Sequence, residues 1–151
     1  TPQICGHCMR HRASDQVARF ANRHSQSRFV SPNAFAYGSD GITPRWEKIE
    51  HLFRACRHQI FFGTFPSEVR PEFVCSESLS LITRYCSNTR LHFGAQSGSD
   101  PVLHKLRRGH TVADVLKAVD LCREHALVPV VASVASTTFS SRSEMTLVTC
   151  V

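Results

Sequence analysis

The sequence predicts an α/β fold made of repeated strand–helix units. Short apolar runs alternate along the chain with longer segments whose apolar residues recur at helical spacing, at about thirty residues per unit, the length of a βα repeat. Such alternation favours a parallel sheet with helices packed against it, although it leaves the order of the strands open. The predicted strands are Arg28–Asn33, Gln59–Phe65, Arg90–Ala95 and Leu127–Val134.

The first three helices are predicted from start signals and from apolar stripes. Ser14 can cap a helix that runs to His24. Thr43 and Pro44 suit the N-cap and the first position of the next helix, and Ser76 begins the third. The spacing of the inward residues indicates core rather than a site. These residues are Val17, Phe20, Ala21 and His24, then Ile49, Leu52, Phe53 and Cys56, then Leu79, Ile82 and Cys86.

Two more helices follow the third strand. Asp100 and Pro101 suit the N-cap and first position of the fourth helix, and Gly109 suits the residue just beyond its end. Thr111 and Asp114 form a capping-box arrangement at the start of the fifth. Its predicted core face consists of Val112, Val115, Leu116, Val119 and Cys122.

Polar side chains cluster at three predicted strand ends. The carboxyl ends of parallel strands share one rim, so these side chains can converge there. For any single residue, a polar loop or a helix cap is the simpler explanation. The clustering, with Gly94 and Gly98 allowing close backbone approach, favours a ligand site. The residues are Ser31 and Asn33, then Thr64, Ser67, Glu68 and Arg70, then Gln96, Ser97, Ser99 and Asp100.

Composition limits the class of protein. The net charge is +6, but the arginines are spread along the chain, so a nucleic-acid interface is not indicated beyond this weak basic charge. No apolar run is long enough to span a membrane, and no signal peptide is visible. Seven cysteines without a framework spacing favour a reducing compartment, so we expect a cytoplasmic protein.

The N-terminal Cys5-Gly6-His7-Cys8 segment has four interpretations. A zinc site would need a second ligand pair, and none follows. A redox dithiol would need a preceding strand and a helix start, and a c-type haem site would need His in place of Met9. We favour two incidental loop cysteines, and we keep Cys5 and Cys8 as candidate metal ligands only in a zinc or thiol-oxidoreductase hypothesis.

The segment LHFGAQSGSDPVLHKLRRGHTVADV, residues 91–115, resembles the fourth-strand signature of radical S-adenosylmethionine (SAM) enzymes. Met9–Arg12, Phe29–Gly41 and Ile60–Glu72 extend the similarity to members that carry an upstream cobalamin-binding domain. The methylthiotransferases of the same superfamily have a related run. The resemblance covers roughly residues 1–131 and implies the central part of a partial β/α (TIM-like) barrel.

The resemblance also implies cofactors and site residues. Radical SAM enzymes bind a four-iron four-sulfur cluster through C-x-x-x-C-x-x-C, and we expect those cysteines upstream of Thr1. Cobalamin would bind through a domain outside this chain. The strand ends would contact SAM, with Glu68 accepting from ribose hydroxyls and Arg70 facing the cofactor carboxylate. Gln96 and Ser97 would lie near its methionine and ribose parts, and Asn33 belongs to the same rim.

Residues 132–151 form a Ser/Thr-rich tail without a period, where the family would continue with another strand and a glycine-containing loop. We interpret the chain as a fragment of a radical SAM enzyme that is inactive alone. Truncation or a frameshift after residue 131 would explain the tail, and a naturally divergent tail is the alternative. One alternative is a methylthiotransferase. The other, from a different class, is a non-catalytic β/α module that binds a nucleotide or a protein. The substrate is not readable from the sequence.

Overall fold

The computed structural model describes residues 10–133 and 146–149 and confirms the predicted alternation of strands and helices. The chain is α/β, with short parallel strands. Two 3₁₀ helices, Ala34–Ala36 and Pro71–Phe73, follow the first two strands. The remaining elements are α1 (Ser14–Ala21), β1 (Gln26–Arg28), α2 (Trp46–Ala55), β2 (Gln59–Phe61), α3 (Ser76–Tyr85), β3 (Arg90–Gln96), α4 (Asp100–Lys105), α5 (Val112–Glu124), β4 (Val128–Ser133) and β5 (Thr146–Thr149).

The described strands form two parallel sheets. β1 pairs with β2, and β3, β4 and β5 follow one another in the second sheet. The segment after β2 links the sheets, because the His92 N–H donates to the Gly63 carbonyl (2.8 Å) and the Val69 N–H donates to the His92 carbonyl (2.9 Å). β5 lies in the segment for which the sequence predicted no strand, so β4 is not the final strand.

β2 and β3 have an apolar side that faces the core and a more polar opposite side, whereas the neighbouring β4 residues Val130 and Val131 are both buried. Ile60, Leu91, Phe93 and Val131 belong to the apolar side, and they pack into the core with Ile49, Leu79, Ile82 and Val115 of the helices. Alternate residues such as Gln26, Arg28, Gln59 and Arg90 point the other way and are exposed. β2 is covered on one side only, because Gln59 is exposed, Ile60 is buried and Phe61 is half-buried.

β1 and β2 are shorter than predicted because side chains replace part of the ladder. β1 is Gln26–Arg28 and not Arg28–Asn33, since the Ser31 N–H donates to the Ser67 hydroxyl (3.3 Å) instead of a strand. β2 ends at Phe61, because the Asn88 side chain forms both hydrogen bonds of the Phe62 backbone. The Asn88 oxygen accepts from the Phe62 N–H (3.1 Å), and the Asn88 nitrogen donates to the Phe62 carbonyl (2.8 Å). The chain then turns at Gly63, whose φ is +66°.

Three helix predictions need correction. α1 ends at Ala21, so His24 lies outside it, and Phe20 is 55% exposed because Ala18 and Ala21 take the core positions. α2 begins at Trp46, because Asp40 accepts from the N–H groups of Ile42 and Thr43 in a turn ahead of the helix. In α5, Leu116 is 50% exposed, and Ala118 occupies the core instead.

The ends of α4 also differ from the prediction. Ser99 is the N-cap residue, and Asp100 instead accepts from the Val112 N–H (2.8 Å), so its carboxylate caps α5. The helix ends at Lys105. Arg107, with a φ of +51°, then reverses the chain in a Schellman motif, in which the Arg108 N–H donates to the Leu103 carbonyl (3.0 Å). Gly109 therefore lies beyond the helix end.

Other local predictions are confirmed. The Thr111–Asp114 capping box is present at the start of α5. Cys122 is fully buried, and burial raises its pKa to about 12; burial also raises the pKa of Cys56 and Cys86, which pack against the core. Cys5 and Cys8 lie outside the described residues. No helix in the described part of the chain has the length and apolar character that crossing a membrane requires.

Candidate functional site

The carboxyl end of β3 carries a strained turn. Gln96 has a φ of +65°, which is uncommon for a residue with a side chain. The Ser97 N–H donates back to the Ala95 carbonyl (2.8 Å), so the chain reverses around Gln96. The Ser97 hydroxyl is fully buried and accepts from the Ser99 N–H (3.2 Å), and the Ser133 hydroxyl of β4 donates to the Gln96 carbonyl (3.2 Å). A strained backbone held in this way is typical of a functional position.

Two polar side chains lie over Gly94 beside this turn. A Cβ at position 94 would stand 2.7 Å from Glu68 Oε2 and would also collide with the Gln96 amide nitrogen. Only glycine leaves room for both side chains. In the described part of the chain, no donor lies within hydrogen-bond distance of the Glu68 carboxylate. Burial raises the pKa of Glu68, and the charge of Arg108 partly opposes that rise.

Asn33 joins the same edge from the end of β1. Its side-chain oxygen accepts from the Arg70 N–H (3.3 Å), and the neighbouring Ala34 N–H donates to the Glu68 carbonyl (3.1 Å). Its side-chain nitrogen is buried and has no hydrogen-bond partner among the described residues. The structure therefore places Asn33 beside the Glu68–Arg70 segment, while the Glu68 and Gln96 side chains meet over Gly94.

Arg70 also lies at this edge, and its charge is already paired with that of Glu72. Its guanidinium pairs with Glu72, approaches the Gly41 carbonyl (3.5 Å) and lies 5.4 Å from the centre of the Phe73 ring. The side chain remains about one-third exposed. A ligand carboxylate could reach Arg70 only by sharing it with Glu72 or by displacing Glu72.

The sequence did not predict the role of His110, which is 4% exposed behind the strained turn. Its Nε2 lies 3.1 Å from the Ala95 carbonyl, and its Nδ1 lies 3.7 Å from Glu72 Oε2. The Ala95 carbonyl accepts a hydrogen bond from Nε2, whereas Nδ1 and Glu72 Oε2 are buried and have no hydrogen-bond partner among the described residues. Gly109 allows this packing, because a Cβ there would stand 3.1 Å from Glu72 Oε1. A histidine without apolar periodicity around it gave no signal of its burial.

A family comparison identifies the superfamily to which the chain belongs. The model of the radical SAM superfamily matches residues 2–138, which is most of the chain. This chain belongs to the radical SAM superfamily. Members are enzymes that use SAM with a four-iron four-sulfur cluster, and their fold is a partial TIM-like barrel. The described residues of this chain form short parallel strands, in two sheets, together with helices. A comparison with curated proteins gives no significant match.

The strand-end groups suit a polar nucleoside ligand better than they suit a metal. A buried unpartnered amide nitrogen at Asn33, a half-buried carboxylate at Glu68 and an amide at Gln96 offer both donors and acceptors to a polar nucleoside ligand. In residues 10–133 and 146–149, no group of three or more His, Cys, Asp or Glu side chains could hold a metal ion. The radical SAM cluster therefore has no ligand set in the described segments, and its cysteines upstream of Thr1 remain a prediction.

Proposed function

We propose that this chain supplies the SAM-binding edge of a radical SAM enzyme. The observation that carries the proposal is the convergence of Glu68 and Gln96 over Gly94 at the strained end of β3. Both side chains lack hydrogen-bond partners within the described residues, so they can bind a ligand without first breaking an internal contact. The strain is located where the family motif predicts the cofactor.

Each residue has a defined part in this proposal. Glu68 accepts hydrogen bonds from the ribose hydroxyls, and Asn33 donates its unpartnered N–H group to a cofactor acceptor. Gln96 and Ser97 position the methionine and ribose parts. Arg70 faces the cofactor carboxylate and exchanges its contact with Glu72 for a bidentate one, which suits a planar guanidinium. When bound, SAM and the cluster supply one-electron reductive cleavage of the sulfonium.

The reaction subtype rests on sequence motifs. The Met9–Arg12, Phe29–Gly41 and Ile60–Glu72 segments support cobalamin-linked methyl transfer, with cobalamin bound by a domain outside this chain. The Gln96–Asp100 run also supports a methylthiotransferase. The segments that flank this chain in the parent protein distinguish the two subtypes. A cobalamin domain upstream favours cobalamin-linked methyl transfer. A second cluster domain upstream together with an RNA-binding module downstream favours the methylthiotransferase.

SAM binding to the full chain tests the proposal. Equilibrium dialysis of the chain with labelled SAM should give saturable binding that Glu68→Gln and Arg70→Met each weaken about tenfold, the worth of one hydrogen bond to a charged group. Glu77→Gln and Arg84→Met are matched controls, because both side chains lie on α3, away from the strand ends. Thermal unfolding checks that each variant is folded.

Two outcomes would contradict the proposal. If Glu68→Gln and Arg70→Met bind SAM as tightly as the unmodified chain, these residues do not contact the cofactor. If the chain binds ATP without iron and shows no preference for SAM, the non-catalytic nucleotide-binding module becomes the better interpretation. Formation of 5′-deoxyadenosine after reduction, in a parent protein that also carries the cluster cysteines, would decide for the enzyme.

A further inference from the structure

A group of cationic and aromatic side chains occupies the polar side of β1–β3, away from the helices. Arg28 of β1 is the best defined of them. Its guanidinium carbon lies 4.3 Å from the centre of the Phe61 ring, and Nη1 donates to the Thr64 hydroxyl (3.1 Å). Stacking and a hydrogen bond hold the planar group in one orientation, so binding a ligand would cost it little further rotamer freedom.

His92 points to the same side of β3. Its Nδ1 accepts a hydrogen bond from the Phe65 N–H (3.1 Å). A backbone N–H can only donate, so Nδ1 carries no proton and the neutral ring is protonated at Nε2. That Nε2–H group has no hydrogen-bond partner within residues 10–133. His92 is therefore an unused donor whose direction is fixed by the backbone.

The strand register places these groups next to each other. Arg28 pairs with Phe61 across the first sheet, and the His92 N–H donates to Gly63 two residues after Phe61. The lowered pKa of His92 agrees with this placement. Burial is the largest cause of the lowering, and the charges of Arg90 and Arg28 add to it. Arg90 is the residue two positions before His92, on the same side of the strand.

The charge of this group is unbalanced. No Asp or Glu of the described part of the chain forms an ion pair with Arg28 or Arg90, although acidic partners are present for Arg45, Arg54 and Arg70 elsewhere. Phe65, which is 74% exposed, stands beside the group and could contact an apolar part of a ligand. Two unpaired cations and one fixed neutral donor form an anion-binding arrangement.

We propose that Arg28, His92 and Arg90 form a subsite for an anionic group of the substrate, a phosphate or a carboxylate. His92 and Gly94 lie on the same side of β3, two residues or about 7 Å apart. The subsite is thus next to the edge where SAM is proposed to bind, and its role as a substrate site rests on that proposed function. Binding of the anion itself needs neither the cluster nor SAM.

Titration with simple anions tests the subsite directly. Inorganic phosphate, and acetate in a second series, would be added to the full chain at constant ionic strength while the ¹⁵N resonances of His92 and Arg28 are followed. We expect a saturable shift at both residues. Arg28→Gln should weaken the binding about tenfold, because a bidentate charge-assisted contact is lost.

Arg84→Gln is the matched control. Arg84 is also an arginine stacked on an aromatic ring, 5.3 Å from the centre of Tyr85, but it lies on α3 among the helices. It should leave phosphate binding unchanged. Arg28→Lys should give an intermediate affinity, because it keeps the charge and loses the planar stack. If Arg28→Gln and Arg84→Gln bind phosphate equally, or if the His92 shift does not saturate, the subsite is wrong.

The two proposals can fail separately. Labelled SAM binding, measured on the same Arg28→Gln protein, should stay within about twofold of the unmodified chain, a change of less than 0.5 kcal/mol. Phosphate binding at His92 without any SAM binding would keep the anion subsite and overturn the SAM proposal. SAM binding with no response of His92 to either anion would overturn the subsite and keep the SAM proposal.

Discussion

The two sides of the same strands separate the hydrophobic core from the two proposed ligand sites. On the helix-covered side, Leu91 and Phe93 are fully buried and pack against α3 and α5 residues. On the opposite side, the intervening residues His92, Gly94 and Gln96 carry polar groups or leave room for them. Because the strand period is two, one seven-residue strand serves both purposes. The difference teaches that neighbouring residues of β3 should respond to mutation in opposite ways.

The largest expected difference in the free energy of unfolding is the one between Phe93→Ala and His92→Ala. Phe93 is completely buried, so Phe93→Ala should lower the free energy of unfolding by about 3–5 kcal/mol, through lost burial and the cavity left behind. His92→Ala removes one hydrogen bond at a half-exposed position and should cost about 1 kcal/mol or less. Urea unfolding measures both, and equal losses would contradict the division.

The two glycines Gly63 and Gly94 provide a second contrast. Gly63 has a φ of +66°, and a Cβ there would stand 2.8 Å from Val69 and 2.9 Å from Leu91 in the core. Gly63→Ala should therefore cost about 2–4 kcal/mol, from the left-handed backbone and overpacking together.

The methyl group added by Gly94→Ala would contact only the flexible side-chain ends of Glu68 and Gln96, which can move aside. It should cost less than about 1 kcal/mol in stability, yet displace both side chains from the proposed cofactor edge. Thermal unfolding and SAM dialysis on the same samples check the pair. A stable Gly94→Ala protein with normal SAM binding would remove Gly94 from the site.

The smallest expected effect is that of Glu68→Gln on stability. The folded-state pKa of Glu68 is raised above its ordinary value of 4.5, so the folded chain binds the proton more tightly than the unfolded chain does. The stability contribution of Glu68 is complete below pH 4.5 and is lost as the pH rises through the raised value.

At neutral pH, Glu68→Gln should accordingly stabilise the chain, by less than about 1 kcal/mol because the carboxylate is half exposed and water screens it. The gain should vanish near pH 4. Thermal unfolding at the two pH values measures it, with Glu77→Gln as the control that should bring no gain. A destabilising Glu68→Gln at neutral pH would mean that the carboxylate already has a stabilising partner.

Local signals predicted the parts of the structure that depend on neighbouring residues. The Thr111–Asp114 capping box and the start of α3 at Ser76 follow from spacing along a few positions. The early end of β2 could not be predicted, because it depends on Asn88, twenty-six residues away, binding the Phe62 backbone. The same holds for Leu116, since only the packing of α5 decides that Ala118 is buried instead.

The strand-end residues were predictable as a group but not in their contacts. Parallel strands end at one edge, which was sufficient to place Asn33 beside the Glu68–Arg70 segment and the Glu68 side chain beside that of Gln96. The pairing of Arg70 with Glu72 was not predictable, because residues two apart in the chain meet only when the 3₁₀ turn at Pro71–Phe73 folds the backbone. His110 was missed for a related reason, since its two partners come from other elements.

The turn at Gln96 has a consequence for the entropy of binding. Its carbonyl is held by Ser133, the preceding carbonyl of Ala95 is held by His110, and the backbone between them is fixed in the left-handed region. Most conformational freedom at this position is lost when the chain folds, before any ligand arrives. A ligand that contacts Gln96 therefore meets a preorganised group, and little of its intrinsic affinity is spent on ordering the protein.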